Sequence, residues 1–260
     1  MKITVLMENT TADPDLHCEH GLSLYIETGD HKILFDMGQT TAFAANAQKL
    51  GVDLTAVDLA VLSHGHYDHG GGIARFLEIN GRAPLYLSRY AFGPHYNGID
   101  KYIGLDQTLR VDEFVRPRLC FTGTHETSAE TAVTWNQEPM DIAIAPKETG
   151  EELPLILAPG VELYTCQERA LVYPMDSDGL KIKQENQCIP EDFRHEQYLL
   201  VHEDGKRILF SGCSHRGILN IVQWFHPHIL IGGFHFSKWD PDGDGRSRLD
   251  YAAAILNQHH

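Results

Sequence analysis

Three histidines and an aspartate fall within six residues at His64, His66, Asp68 and His69, directly after the apolar run Leu59–Leu62. Imidazole and carboxylate ligands suit zinc, iron and manganese, and a coordination position left open would make such a site catalytic. On an extended segment His64 and His66 can point the same way, while Asp68 and His69 turn toward a neighbouring position. Gly65 and the run Gly70–Gly72 are expected to give the backbone room for that turn. An ion held there would bring the pKa of a coordinated water to about 7 and polarise a carbonyl or phosphoryl oxygen.

A complete site needs ligands from elsewhere. Leu209-Phe210-Ser211-Gly212-Cys213-Ser214-His215 repeats the plan of an apolar strand running into soft and imidazole ligands, with a helix start behind it. His215 is expected to be a ligand and, with Asp68, to take part in catalysis. Cys213 reads either as a thiolate ligand or as a buried structural cysteine. Ile229–Ile231 runs into Gly232-Gly233-Phe234-His235, so His235 is expected near the same edge, as a metal ligand or a substrate contact. His195, just ahead of another apolar run, is either a ligand or a surface histidine in a charged loop.

The pattern His-x-His-x-Asp-His at His64, His66, Asp68 and His69 resembles the signature of the metallo-β-lactamase superfamily. Phe35-Asp36-Met37-Gly38 resembles that superfamily's earlier strand-end motif, which implies that Asp36 orients a ligand histidine from behind. The resemblance implies a ligand position at His195. It also places Cys213 where most relatives carry an aspartate that bridges two metals. Ser211–His215 together with Gly232–His235 is similar to the branch that includes the archaeal dihydropterin ribofuranosyl-aminobenzene-phosphate synthases. Relatives usually continue to a further His-Cys-Thr-Gly-like segment, whereas this sequence ends at His260, which leaves open one metal or two. Tyr102–Leu105 is similar to a substrate-side segment of bacterial members.

The elements that must position these residues alternate. Strands are predicted at Ile3–Met7, Leu22–Glu27, Lys32–Phe35 and Leu59–Leu62, with a hairpin turn at Gly29-Asp30. A helix is predicted from Thr41 to Leu50 with Phe43, Ala47 and Leu50 on its buried face, and another over Gly72–Ile79. A strand is predicted at Pro84–Leu87. From Ser88 to Pro190 the periodicity weakens, with strand-like pieces at Arg118–Phe121 and Val161–Tyr164. Strands return at Gln197–His202, Arg207–Phe210 and His228–Ile231, and helices at Gly217–Phe225 and Arg248–Leu256. The whole of 1–260 is read as one α/β domain elaborated at about 88–190. The resemblance implies a four-layer αββα sandwich in which strand ends of both halves meet at one edge.

Composition sets the outer limits. A formal net charge of -15 argues against a nucleic-acid binder, which would show a basic face. Five widely spaced cysteines do not form a disulfide framework, and no apolar run is long enough for a membrane span, so a cytoplasmic setting is expected. Asp240-Pro241-Asp242-Gly243-Asp244-Gly245 begins like a calcium loop, but Tyr251 stands where the bidentate glutamate belongs, so a capped turn before the last helix is the better reading. The expected function is metal-dependent hydrolysis of an ester, amide or phosphoester bond in a small polar or anionic substrate. It would use one or two divalent ions, zinc first, with iron or manganese as alternatives. The resemblance offers a pterin-type transferase as a second reading. A non-hydrolytic redox or metal-sensing protein using Cys213 is a third.

Overall fold

The computed structural model describes residues 1–123, 140–143, 153–185 and 187–259; the rest of the 88–190 stretch lies outside the described residues. Strands β1 (Lys2–Met7), β2 (Ser23–Thr28) and β3 (His31–Phe35) form an antiparallel meander. The turn at Gly29-Asp30 holds two residues, since Thr28 pairs with His31. Gly29 takes φ 53° there, the left-handed value such turns require. After helix α1 (Ala42–Lys49), β3 pairs in parallel with β4 (Leu59–Val61). The short helix α2 (Tyr67–Gly70) and α3 (Ile73–Ile79) then lead to β5 (Leu85–Ser88), parallel to β4.

The stretch 88–190 supplies strands to all three sheets. Its first pieces are β6 (His95–Asn97) and β7 (Lys101–Tyr102). Next, β8 (Leu119–Gly123) and β9 (Met140–Ala143) complete a seven-stranded sheet of order β1-β2-β3-β4-β5-β8-β9. β10 (Leu155–Ala158) and β11 (Val161–Tyr164) begin the second sheet. β12 (Leu180–Gln184) and β13 (Gln187–Pro190) join β6 and β7 in a small third sheet. The second sheet is finished by β14 (Tyr198–Glu203), β15 (Lys206–Ser211) and, beyond helix α4 (Ile218–Phe225), β16 (Ile229–Gly232). Helix α5 (Arg246–Leu256) is the last regular helix among the described residues.

The layers follow from the two-residue period of the strands. Leu24, Ile26, Ile33, Phe35, Leu59 and Val61 point to one face of the first sheet and pack against Leu163, Leu199, Val201, Ile208 and Phe210 of the second. The alternate residues Tyr25, Leu34, Ala60 and Leu62 face outward, onto Phe43 and Ala47 of α1 and Ile73, Phe76 and Leu77 of α3. On the far side, Tyr198, Leu200 and Leu209 pack on Ile221 and Phe225 of α4. Helix, sheet, sheet, helix is the four-layer arrangement expected. Two of its parallel pairs, β3–β4 and β15–β16, send their chain ends out toward the candidate ligands.

Three local expectations need correction. Leu50 is not on the buried face of α1; it caps the helix and is 40% exposed, because the chain turns away at Gly51 (φ 70°). Gly65 and Gly70–Gly72 have negative φ, so conformational freedom is not their role. They are small because other atoms lie against them: a Cβ on Gly65 would sit 2.1 Å from the Ala91 carbonyl oxygen, one on Gly71 1.9 Å from that of Gln39, and one on Gly70 2.4 Å from the Leu105 side chain. Before α5 the Asp-rich turn is present, with Asp240 accepting from the Asp242 amide, but Gly245 at the helix start provides no side-chain cap.

Candidate metal centre

Asp36, directly after β3, organises the first half of the site. Its carboxylate is fully buried and accepts from the Ser63 amide (2.6 Å), the Ser63 hydroxyl (2.7 Å) and Nδ1–H of His69 (2.6 Å). Since the Ser63 hydroxyl proton goes to Asp36, the Ser63 oxygen must accept from Nδ1–H of His64 at 2.8 Å. One carboxylate therefore fixes a proton on Nδ1 of two histidines, so that Nε2 is the nitrogen each has for a metal. Asp36 itself adopts φ 60°, a left-handed strain that three side-chain partners hold in place: Ser63, His69 and Ser23, whose hydroxyl donates to the Asp36 carbonyl.

The freed nitrogens converge. Nε2 of His64, His66 and His215 are buried and have no hydrogen-bond partner. One ring nitrogen from each of these three histidines lies within 4.8 Å of the others. A buried polar atom without a partner is costly, and three aimed together are costly three times over unless an ion completes them. Burial, followed by the neighbouring imidazoles, holds His64 and His215 well below the ordinary histidine pKa, so both offer lone pairs.

His69 faces a different neighbour. Its Nε2 lies 3.2 Å from the Cys213 sulfur and 3.7 Å from Asp68 Oδ2. His64, His69 and Cys213 form a second group with ligand atoms within 4.8 Å of one another. Burial lowers the His69 value, but Cys213, Asp36 and Asp68 outweigh it and hold the ring well above its usual range. Burial pushes the Cys213 thiol up. Cys213 is thus partly buried beside a ring nitrogen, in one group of potential ligands with His64 and His69. Asp68 also receives His20 Nε2 at 3.3 Å, from an exposed side chain at the cavity mouth.

The downstream loop is fixed by Glu196, whose oxygens accept from the backbone amides of His215 (2.8 Å) and Arg216 (3.0 Å). Phe193 stacks on the His215 ring, with centroids 4.5 Å apart and planes within 9°. His235 lies with its ring centroid 4.5 Å from that of His215, and its Nδ1–H donates to Asp178 at 2.9 Å.

His195 is neither exposed nor free. It is buried, its Nδ1 accepts from the Gly65 amide (2.8 Å), and its Nε2–H donates to Glu191 (2.8 Å). Both ring nitrogens are engaged, so it does not present a lone pair to the His64–His66–His215 group. Burial, then His95, pushes its pKa down to about 3.

Sequence reasoning missed Glu191 and His95. Glu191 is buried among His66, His95 and His195, and its Oε2 is 3.5 Å from His66 Nε2. The desolvation of Glu191 would raise its pKa, but the three rings outweigh that and hold it well below the carboxylate range. His66, His95, Glu191 and His195 form a third group with ligand atoms within 4.8 Å. The i, i+4 spacing of Glu191 and His195 was the available signal; His95, nearly a hundred residues earlier, gave none.

A cavity of about 200 Å³ opens onto the site. It is lined by His66, Asp68, Cys213, His215 and His235, together with Lys101 and Lys238. Ile103 lines it too, and its carbonyl accepts from the Tyr67 amide (2.9 Å), so the Tyr102–Leu105 segment is strapped directly to the histidine turn. Among the described residues no helix is long and apolar enough to cross a membrane, and all five cysteines are free.

The sequence profile of the metallo-beta-lactamase superfamily matches residues 18–164. An uncharacterized protein of Methanocaldococcus jannaschii (MJ0448) is 27% identical over 240 residues, covering 90% of this chain and 78% of that protein. The same organism's 7,8-dihydropterin-6-methyl-4-(beta-D-ribofuranosyl)-aminobenzene-5'-phosphate synthase is 24% identical over 243 residues, covering 85% of this chain and 72% of the synthase. In structure, Tm1679, described as a metal-dependent hydrolase of the beta-lactamase superfamily, superimposes with a TM-score of 0.71 at 24% identity. That match covers 99% of this chain and 83% of Tm1679, and at this identity it speaks for the fold.

Proposed function

Since the chain belongs to the metallo-β-lactamase superfamily, we propose that it is a metal-dependent hydrolase of a small polar or anionic substrate. The observation that carries this is the convergence of the three unpartnered, buried nitrogens of His64, His66 and His215. A divalent ion of the zinc type held by these three residues would supply Lewis acidity and lower the pKa of a water to about 7. His69 and Cys213, with Asp68 alongside, would hold a second ion.

The protein's own groups do the rest. Asp36 keeps His64 and His69 in the tautomers that bind metal, the first through Ser63. Glu191 steadies the middle of the motif twice, facing the His66 ring and holding His195 against the Gly65 amide. Asp68, on the cavity wall, would accept the proton of an attacking water. Lys101 and Lys238 give an anionic substrate a reason to enter an otherwise acidic protein. His235, held by Asp178, serves as a substrate contact or a further ligand. The free cysteines suit the reducing, cytoplasmic setting expected.

The test is hydrolysis of bis(4-nitrophenyl) phosphate by metal-replete protein. Turnover should vanish with chelator and in His66→Ala, and return when metal is restored to the parent protein only. The 24% identical synthase supports a second reading, a pterin-type transferase. Absence of phosphodiesterase turnover, with consumption of a pterin diphosphate together with an aminobenzoyl ribose phosphate, would select it.

A further inference from the structure

The small third sheet, of order β13-β12-β6-β7, carries two buried side chains to the histidine turn that the His64–His66–His215 group leaves unused. His95 opens β6, where it pairs with Ile182 of β12, and Glu191 follows β13, the other neighbour of β12. The Glu191 amide donates to the Leu180 carbonyl at 3.1 Å, which fixes that end of the chain. A bridge between His66 and Gly104 ties the turn to the loop after β7. His66, His95 and Glu191 thus meet from three separate segments, and all three are buried.

Their polar atoms do not satisfy one another. Nε2–H of His95 donates to the Tyr90 carbonyl at 3.3 Å, which leaves Nδ1 with a lone pair. That nitrogen lies against Glu191 Oε1 without the alignment of a hydrogen bond, and Oε1 already accepts from Nε2–H of His195. Glu191 Oε2 and His66 Nε2 face each other at 3.5 Å, and neither has a hydrogen-bond partner. Two ligands on one tetrahedral ion with bonds of about 2.1 Å stand about 3.4 Å apart, close to that separation. We propose that His66, His95 and Glu191 hold a divalent ion of the zinc type at a position of its own, with His195 fixing the Glu191 carboxylate from behind. A buried carboxylate facing ring lone pairs is costly until a cation lies between them. His66 Nε2 has one lone pair, so it serves either this ion or the one shared with His64 and His215. The cavity of about 200 Å³ is lined by His66 and His215 but not by His95 or Glu191. An ion at the new position is therefore set off from substrate, and it ties the third sheet to the histidine turn. This goes beyond the hydrolytic reading and does not require turnover.

The double variant His64→Ala, His215→Ala tests it, because those changes take two ligands from the open position and none from the new one. Equilibrated with zinc, desalted and measured by elemental mass spectrometry, the double variant should lose one ion per chain when His95→Ala or Glu191→Gln is added. Anomalous diffraction at the zinc edge from its crystals should show an ion about 2.0–2.2 Å from His66 Nε2, His95 Nδ1 and a Glu191 oxygen. If circular dichroism shows the double variant unfolded, His215→Ala alone carries both measurements. Zinc content unchanged by both added substitutions, or no anomalous peak beside His95, would overturn the assignment. A parent protein without phosphodiesterase turnover whose variants still show zinc at His95 would remove the hydrolytic reading and keep this one.

Discussion

Asp36 and Glu191 are both buried acids beside the histidine motif: Asp36 orients His64 and His69, and Glu191 holds His195 through Oε1 while its Oε2 has no hydrogen-bond partner. If that is their work, Asp36→Asn should weaken metal binding by about 10–100-fold without unfolding the protein, because the amide can donate where the carboxylate only accepts. Glu191→Gln should do the same through the His66 ring and the Gly65 amide, both measured by competition with a chromophoric chelator. Affinities equal to the parent's would remove these residues from the site. A pH effect belongs here too. His64, His215 and His195 are held below the ordinary histidine value, by burial first and then by neighbouring charged groups. A base with a lowered folded-state pKa binds fewer protons folded than unfolded, so its contribution is lost as pH falls below about 6.5. His69 is raised and acts with the opposite sign: its contribution is full below about 6.5 and lost as pH rises through the folded value. With three groups against one, urea midpoints of the metal-stripped protein should fall between about pH 7 and about pH 5.5. A rising midpoint would contradict the balance.

At the scale of elements, the histidine turn works because other backbone lies flush against it. Gly65→Ala would drive a Cβ into the Ala91 carbonyl, whereas a Cβ on Gly81 meets nothing within 4 Å. Thermal melts should therefore show Gly65→Ala losing about 1–3 kcal/mol and Gly81→Ala little or nothing. Much of this was legible in the sequence. The apolar run at Leu59–Leu62 followed by His64, His66, Asp68 and His69 announced a strand ending in ligands, and Gly29-Asp30 announced its hairpin. The glycines were legible as small but not for the right reason, since close approach of Ala91 or Gln39 is a tertiary fact. Glu191 and His95 were illegible for the same cause: they sit in short, irregular segments and acquire meaning only where β6 and the end of β13 bring them to His66.

For the whole molecule, the site is an alignment of two half-sandwiches. Phe35 of β3 and Phe210 of β15 meet across the central layer at 6.0 Å between centroids, one residue ahead of Asp36 and three ahead of Cys213. Phe210→Ala should cost about 3–5 kcal/mol in urea denaturation. It should also weaken metal binding, because it loosens the half that carries Cys213 and His215 relative to the half that carries His64–His69. A variant that is destabilised but keeps parental metal affinity would mean that the two halves are held in register by something other than this core.

Metal content is the most direct test of the central claim. Protein purified under metal-replete conditions and measured by elemental mass spectrometry should carry one to two divalent ions per chain. The triple variant His64→Ala, His66→Ala, His215→Ala, folded by circular dichroism, should carry less than half the parental content. Less than one ion per parent chain, or an undiminished content in the triple variant, would contradict the assignment of these three nitrogens to a metal.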